Sequence, residues 1–241
     1  MRVAVMSDIH GFNLALETVI ADLDAEAARD PIAEVIVAGD LCEDGPGPAE
    51  TLTLLRARGY RLLRGNTDQE LVEQSLNSSG GAMARYALDK IGADGVKMLA
   101  ALPFDYRLTP PGGSSPADDL LVVHANPHNV DDKLLPEASD RALRDVIGET
   151  RAAVIAFGHH HVCYTRRLDD LLLVDVSAAG NPKDGDLRCT YGLLTWDEQT
   201  HRWDAEIRRL DYPIDATTDQ IRASDLPDPE ATLRKLLRAS Y

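Results

Sequence analysis

Seven side chains can be assembled into one chemical site: Asp8, His10, Asp40, Asn66, His124, His159 and His161. They fall in five polar segments, each directly after a short apolar run. Carboxylate, amide and imidazole donors with no thiolate among them suit manganese, iron, nickel or zinc better than calcium or magnesium. In DIHG, Asp8 and His10 stand two apart, and side chains so spaced in an extended segment lean to one side. Gly39 lets the chain turn sharply into Asp40, whose two oxygens can serve two cations. Asn66 in GNTD offers an amide carbonyl, and His124 closes the run LLVV. The run Gly158-His159-His160-His161 is hard to attribute to packing. If it is extended, His159 and His161 share a side and His160 faces away as a rim residue. Taken singly, the other residues have simpler explanations. Asp8 can cap a following helix with a solvated His10 beside it, Asp40 and Asn66 suit turns, and His124 can be a satisfied buried histidine. His128 and His201 read as surface histidines.

A sheet must position these residues. Positions 2–6 read as a buried strand, 7–13 as a polar loop and 14–28 as a helix. The unit recurs as a strand at 34–38, a Gly/Pro/Asp loop at 39–48 and a helix at 49–58, with Pro48 where a first-turn proline is tolerated. A third strand at 61–63 ends at 65–68. Residues 69–102 read as largely helical, interrupted by a loop at 77–81 and by Gly92, and 109–119 reads as a surface connector. Strands follow at 120–123 and 154–157. Paired runs at 163–168 with 171–176, and at 191–196 with 203–209, read as consecutive antiparallel hairpins. Two short helices are expected from 217, separated by Pro227 and Pro229. The alternation predicts an α/β protein. In open α/β sheets, loops beyond the carboxyl ends of the strands converge on one point.

Lys+Arg 25 against Asp+Glu 40 leaves a net charge of −15. Such a body repels nucleic-acid backbone and anionic membranes unless bound cations reverse the field locally. Stable nucleic-acid and membrane partners are therefore not expected. Cys42, Cys163 and Cys189 form no C-x-x-C pair, which fits a reducing compartment rather than a disulfide framework or zinc ribbon. The apolar stretch before Asp8 is shorter than the about 7–15 residues of a signal-peptide core, and no run approaches the roughly 18 that span a bilayer. A cytoplasmic protein is expected. Neither H-E-x-x-H nor H-x-E with P-C-x-x-C occurs, which argues against a zinc peptidase or deaminase.

The ordered set Asp8-x-His10, Gly39-Asp40, Gly65-Asn66-x-Asp68, His124 and Gly158-His159-x-His161 resembles the calcineurin-like metallophosphoesterase superfamily over about residues 1–210. Within it, the chain is most similar to small bacterial and archaeal phosphodiesterases. The resemblance implies a four-layer α/β/β/α sandwich of two mixed sheets flanked by helices. It implies one domain over 1–241, with a helical cap-like segment at about 69–102 and a C-terminal helical extension at about 213–241. It also implies two divalent transition-metal ions, one held by Asp8, His10 and His161, the other by Asn66, His124 and His159, with Asp40 bridging. Asp40, Asn66 and His124 form the implied catalytic set, and Asn66 and Thr67 the substrate contacts.

Two cations about 3.5–4 Å apart share a bridging hydroxide and clamp the attacking and leaving oxygens of an in-line displacement. The implied activity is therefore hydrolysis of a small-molecule phosphoester, with phosphodiesters favoured. Alternatives are a phosphomonoesterase or nucleotide phosphatase of the same fold, or a noncatalytic metal-binding scaffold. The last has precedent in a relative that serves a membrane-trafficking complex. That scaffold lacks part of the histidine set, whereas all the implied ligand positions here carry ligand-capable side chains. One departure matters: Thr67 stands where many members have a histidine credited with protonating the leaving group. A hydroxyl donates a hydrogen bond but does not titrate near neutrality. His124-Ala125 replaces the more usual His-Gly and leaves the ligand intact. Asp68 either caps the following helix or accepts from a ligand imidazole, and Arg64 and Arg85 read as surface residues rather than phosphate contacts.

Overall fold

In the computed structural model, which describes residues 1–77 and 79–240, RVAVM forms strand β1 (Arg2–Met6). It leads into helix α1 (Asn13–Arg29), β2 (Glu34–Val37), α2 (Pro48–Arg58), β3 (Arg61–Leu62), α3 (Asn66–Asn77) and α4 (Ala82–Ala100). The chain continues through β4 (Asp105–Leu108), a 3-10 turn at Pro116–Asp118, β5 (Leu120–Val123), α5 (Asp140–Ile147) and β6 (Val154–Phe157). The hairpins are β7 (Tyr164–Leu168) with β8 (Leu171–Asp175) and β9 (Cys189–Asp197) with β10 (Arg202–Leu210), and α6 (Ile214–Ala223) and α7 (Pro229–Arg238) close the chain. Ser78, in the expected 77–81 loop, and Tyr241, in the expected 213–241 extension, lie outside the described residues.

Two five-stranded sheets form, in the orders β10-β9-β1-β2-β3 and β4-β5-β6-β8-β7. Both are mixed. β1, β2 and β3 run parallel with β9 antiparallel beside β1, and β5, β6 and β8 run parallel with β4 and β7 antiparallel at the edges. Strands with apolar side chains on both faces belong inside such a stack. Val3, Val5, Ile36 and Leu194 meet Leu120, Val122, Val154 and Val174 between the sheets. The opposite faces of the same strands bury Ala4, Met6 and Val37 under α1, α2, α4, α6 and α7, and Leu121, Ile155 and Leu173 under α5. The result is the expected helix, sheet, sheet, helix layering. Leu71 of α3 and Ala84, Ala87 and Leu99 of α4 lie in the same apolar cluster as Leu52 and Leu55 of α2, so the 69–102 segment packs into the helical layer.

The structure adds to the local reading and corrects it at Pro229. β4 lies between the stretch read as helical and the 109–119 connector, where the sequence predicts no element, because its exposed alternation, DYRL, follows a single edge pairing rather than a core face. The two hairpins are consecutive in sequence but belong to different sheets. Pro229 does not separate the last helices; it starts α7, which Asp228 caps through Ala231 N. Among the described residues no helix is long and apolar enough to cross a membrane.

Candidate metal centre

The candidate ligands stand at the ends of β1, β2, β5 and β6 and at the start of α3. Loop-to-loop backbone bonds, Asp8 N to Gly39 O, His10 N to Asp40 O and Gly11 N to Leu41 O, hold the first two segments side by side. Such close approach depends on glycine. Gly39 has φ +96°, and a Cβ there would collide with the backbone of Gly65. A Cβ on Gly158 would strike Asp8 Oδ2 and Ser7 Oγ.

Neither Asp8–His10 nor His159–His161 is the extended segment expected from the spacing. Asp8, His10, Asp40, His159 and His161 all have left-handed backbones, with φ of 55°, 52°, 55°, 66° and 58°. Each such residue costs of order 1–3 kcal/mol and persists only where its surroundings over-determine it. The consequence is concrete: His159 and His161 do not serve the same group. Asp8, His10 and His161 bring ligand atoms within 4.8 Å of one another, and Asp40, His124 and His159 do likewise.

The first group is sealed. Asp8 is 0%, His10 3% and His161 5% exposed. His10 Nδ1 donates to Glu43 O and His161 Nδ1 to Asn181 O, so in the neutral form of each ring Nε2 carries the lone pair. These two Nε2 atoms face each other at 3.2 Å, and His161 Nε2 lies 3.1 Å from Asp8 Oδ1. Asp8 Oδ2 accepts from His159 N, while its buried Oδ1 has no hydrogen-bond partner. Lone pairs aimed at a buried, unpartnered carboxylate oxygen repel unless a cation or proton lies among them, so the donor set fits a metal ion. The same field acts on protons. Burial opposes a charge on His10, yet Asp8, Asp40 and Asp44 raise it to about 10. Burial likewise opposes the Asp8 charge, and His161, His10 and His124 still hold its carboxyl well below the usual range.

The second group opens to solvent. His124 is fully buried and donates Nδ1 to Ala38 O, leaving Nε2 facing Asn66 Oδ1 at 3.0 Å. His159 is half-buried, and its Nε2 donates to Asp131 O, which leaves Nδ1 as the ring atom that could serve as a metal ligand. Burial and then the neighbouring His124 lower its pKa. Asp40 stands between the groups: Oδ2 lies 3.5 Å from His10 Nε2 and Oδ1 3.5 Å from His124 Nε2. Thr67 N donates to Oδ1 at 2.9 Å, and the Thr67 hydroxyl has no partner.

Asp68 does not touch an imidazole. Its carboxylate accepts from Gly65 N, at the start of α3, and from Asp40 N and Leu41 N. It thus caps the helix and clamps the Asp40 loop to it. Arg85 bonds Gly80 O, and Arg64 lines a surface recess with Gln69 and Glu73, so neither joins the centre. His128 bonds Ile147 O, and His201 meets Trp196 edge to face. His160 is half-buried, and its amide donates to Gly158 O in the tight turn.

Sequence reasoning missed the groups behind the imidazoles, which are the backbone carbonyls of Ala38, Glu43, Asp131 and Asn181. Any residue type supplies a carbonyl, so side-chain identity carries no such signal. It also missed the loop after β8, although SAAGNPKDGD is a further polar turn sequence following an apolar strand. There Ser177 Oγ and Lys183 N both donate to His161 O.

This sandwich and its paired His/Asp groups define a metallophosphoesterase fold. The chain belongs to the calcineurin-like phosphoesterase superfamily, whose domain matches residues 1–199. A metallophosphoesterase from Sphaerobacter thermophilus superposes with a TM-score of 0.76 at 21% identity, over 99% of this chain and 100% of that one. A hypothetical protein from Pyrococcus horikoshii OT3 superposes with a TM-score of 0.82 at 17% identity, over 99% and 98%. At these identities the likeness is one of fold. No curated protein sequence matches the chain. Family membership supports phosphoester hydrolysis, and the two groups could hold metal ions.

Proposed function

We propose that this chain is a dinuclear metal-dependent phosphodiesterase acting on small phosphoesters in the cytoplasm. The observation that carries the reading is the position of Asp40, with one oxygen toward each ligand group. Asp8, His10 and His161 would hold one ion, Asn66, His124 and His159 the other, and Asp40 both. Bound there, manganese, iron, nickel or zinc would supply Lewis acidity and an activated water. The chain's own part is orientation. Carbonyls fix the imidazole tautomers, and partners of this kind typically carry about 10–100-fold in metal affinity or activity. Asn66, half-exposed at the start of α3, would meet the incoming phosphoryl group, where the helix N-terminus also favours negative charge. The Thr67 hydroxyl, buried and unpartnered, would donate to a substrate oxygen once its side chain turns toward the open half.

Thr67 also favours diesters with good leaving groups. It offers no proton from a group poised near neutrality, so a departing alkoxide lacks help typically worth about 10²–10⁴-fold. Metal analysis of the purified protein, with hydrolysis of a panel of aryl mono- and diesters, tests the reading. About two ions per chain and faster diester than monoester turnover are expected. One ion or fewer after reconstitution, or a preference for monoesters, overturns it.

A further inference from the structure

A cleft of about 470 Å³ is lined by Arg167, Leu172, His201, Arg202 and Trp203, together with Asp169 and Asp170. It lies far from the metal centre. β8 runs parallel to β6, which His159 follows, so the turn before β8 sits where β6 begins. β9 runs antiparallel to β1 with Thr195 opposite Arg2, so the turn after β9 sits where β1 begins. The cleft therefore opens between the sheets at the end of the sandwich opposite Asp8 and His159.

Its charges are unevenly satisfied. Asp169 pairs with Arg144 at 2.7 Å. The exposed side chains of Arg167 and Arg202, and that of Asp170 beside them, have neither a hydrogen bond nor an ion pair among the described residues, so the two guanidinium groups outweigh the one free carboxylate here although acids outnumber bases 40 to 25 over the chain. Leu172 and Trp203, 9% and 5% exposed, form an apolar floor, and the Trp203 indole N–H is already given to Asp118 O. Guanidinium groups bind phosphate oxygens through paired, charge-assisted hydrogen bonds. The volume falls in the about 300–1,000 Å³ range of small-molecule sites, more than a bare oxyanion fills.

We propose that this cleft binds a small phosphomonoester, its phosphate held by Arg167 and Arg202 and its organic group over Leu172 and Trp203. The site neither uses nor requires the metal centre. Its readout is built in: the chain's 2 tryptophans, Trp196 and Trp203, lie 5.5 Å apart at this end. Tryptophan emission therefore reports the cleft and is remote from the catalytic end. Adenosine 5′-monophosphate, adenosine and inorganic phosphate are titrated into the metal-loaded protein. The monophosphate is expected to give a saturable emission change, with adenosine and inorganic phosphate each weaker. Arg167→Ala and Arg202→Ala should each weaken the monophosphate by about tenfold or more, with metal content and phosphoester hydrolysis unchanged. Loss of the Asp40 carboxylate, in Asp40→Ala, should leave the emission response intact, which separates this site from the catalytic reading. No saturable response, equal affinity for adenosine, or undiminished affinity in both arginine variants overturns the proposal.

Discussion

His159 and His161 are two residues apart, yet they serve opposite halves of the centre with different characters. The His161 half is closed, with three buried side chains and an unpartnered carboxylate oxygen. It is backed by the loop after β8, which bonds His161 at its carbonyl oxygen and its Nδ1. The His159 half is open, with His159 and Asn66 half-exposed. It is backed by the loop after β5, where Asn126 accepts from His128 N and Asn129 N and donates to Asp132 O, folding the turn that delivers Asp131 O. Burial and charge separate the halves further, since carboxylates raise His10 while burial lowers His159. If each half holds an ion as proposed, the closed, strongly negative half would retain its ion, and the open half would exchange water and substrate.

The largest effect should come from the residue common to both. Asp40→Ala is expected to empty both halves and abolish metal-dependent hydrolysis, a loss beyond the about 10–100-fold of an orienting partner. Elemental analysis beside kcat/KM checks this, and retention of two ions would break the bridge assignment.

The next effect divides the halves. His159→Ala and His161→Ala should each abolish hydrolysis, but only His159→Ala should keep an ion, and mild chelation of the wild type should release the open half's ion first. His160→Ala should leave metal content unchanged. Metal stoichiometry followed during dialysis decides it. Simultaneous loss of both ions in the wild type would erase the distinction.

These contrasts were only partly legible in the sequence. The side-chain donors stand out because Asp, Asn and His after apolar strands are costly to bury unpaired. The division between His159 and His161 was not legible from direction, because alternation assumes extended backbone. The loops instead use left-handed residues stabilised by hydrogen bonds from segments more than a hundred residues away, such as His159 N to Asp8 Oδ2.

A smaller effect concerns the open half alone. Rates on aryl diesters should fall steeply as leaving-group pKa rises, and Thr67→His, supplying a titratable donor, should make that dependence shallower and improve monoester turnover by up to about 10²-fold. A flat wild-type dependence with chemistry rate-limiting would show that another group delivers the proton.

The smallest effect tests the backing of the closed half. Arg209 pairs with Asp184 and Asp186 in the loop behind His161, and Asp186 also pairs with Arg188. Hydrogen bonding from Arg188, with the charges of Arg209 and Arg188, lowers the Asp186 pKa from 3.8 to about 2. A carboxyl so depressed contributes stability above its ordinary pKa and loses it as pH falls from about 4 toward 2. Asp186→Asn should therefore lower stability slightly at neutral pH, within the small range of exposed ion pairs, and converge with wild type in acid. Denaturant midpoints across that window test it; a constant offset would assign the effect to packing.

The four-layer sandwich came from the family resemblance, while local sequence determined the donor types, the order of the strand-ending loops and the α/β alternation. Each follows from side-chain chemistry or from apolar runs of strand and helix length, which are properties of neighbours along the chain. Which imidazole joins which carboxylate, implied beforehand only by the family resemblance, and which half is sealed were decided by the tertiary structure. It also placed Asp68 as the clamp between two loops rather than only a helix cap. Those outcomes depend on hydrogen bonds and burial between segments distant in sequence: burial opposes the charge on both imidazoles, but the carboxylates around His10 overcome it and raise that ring, while His159 is lowered.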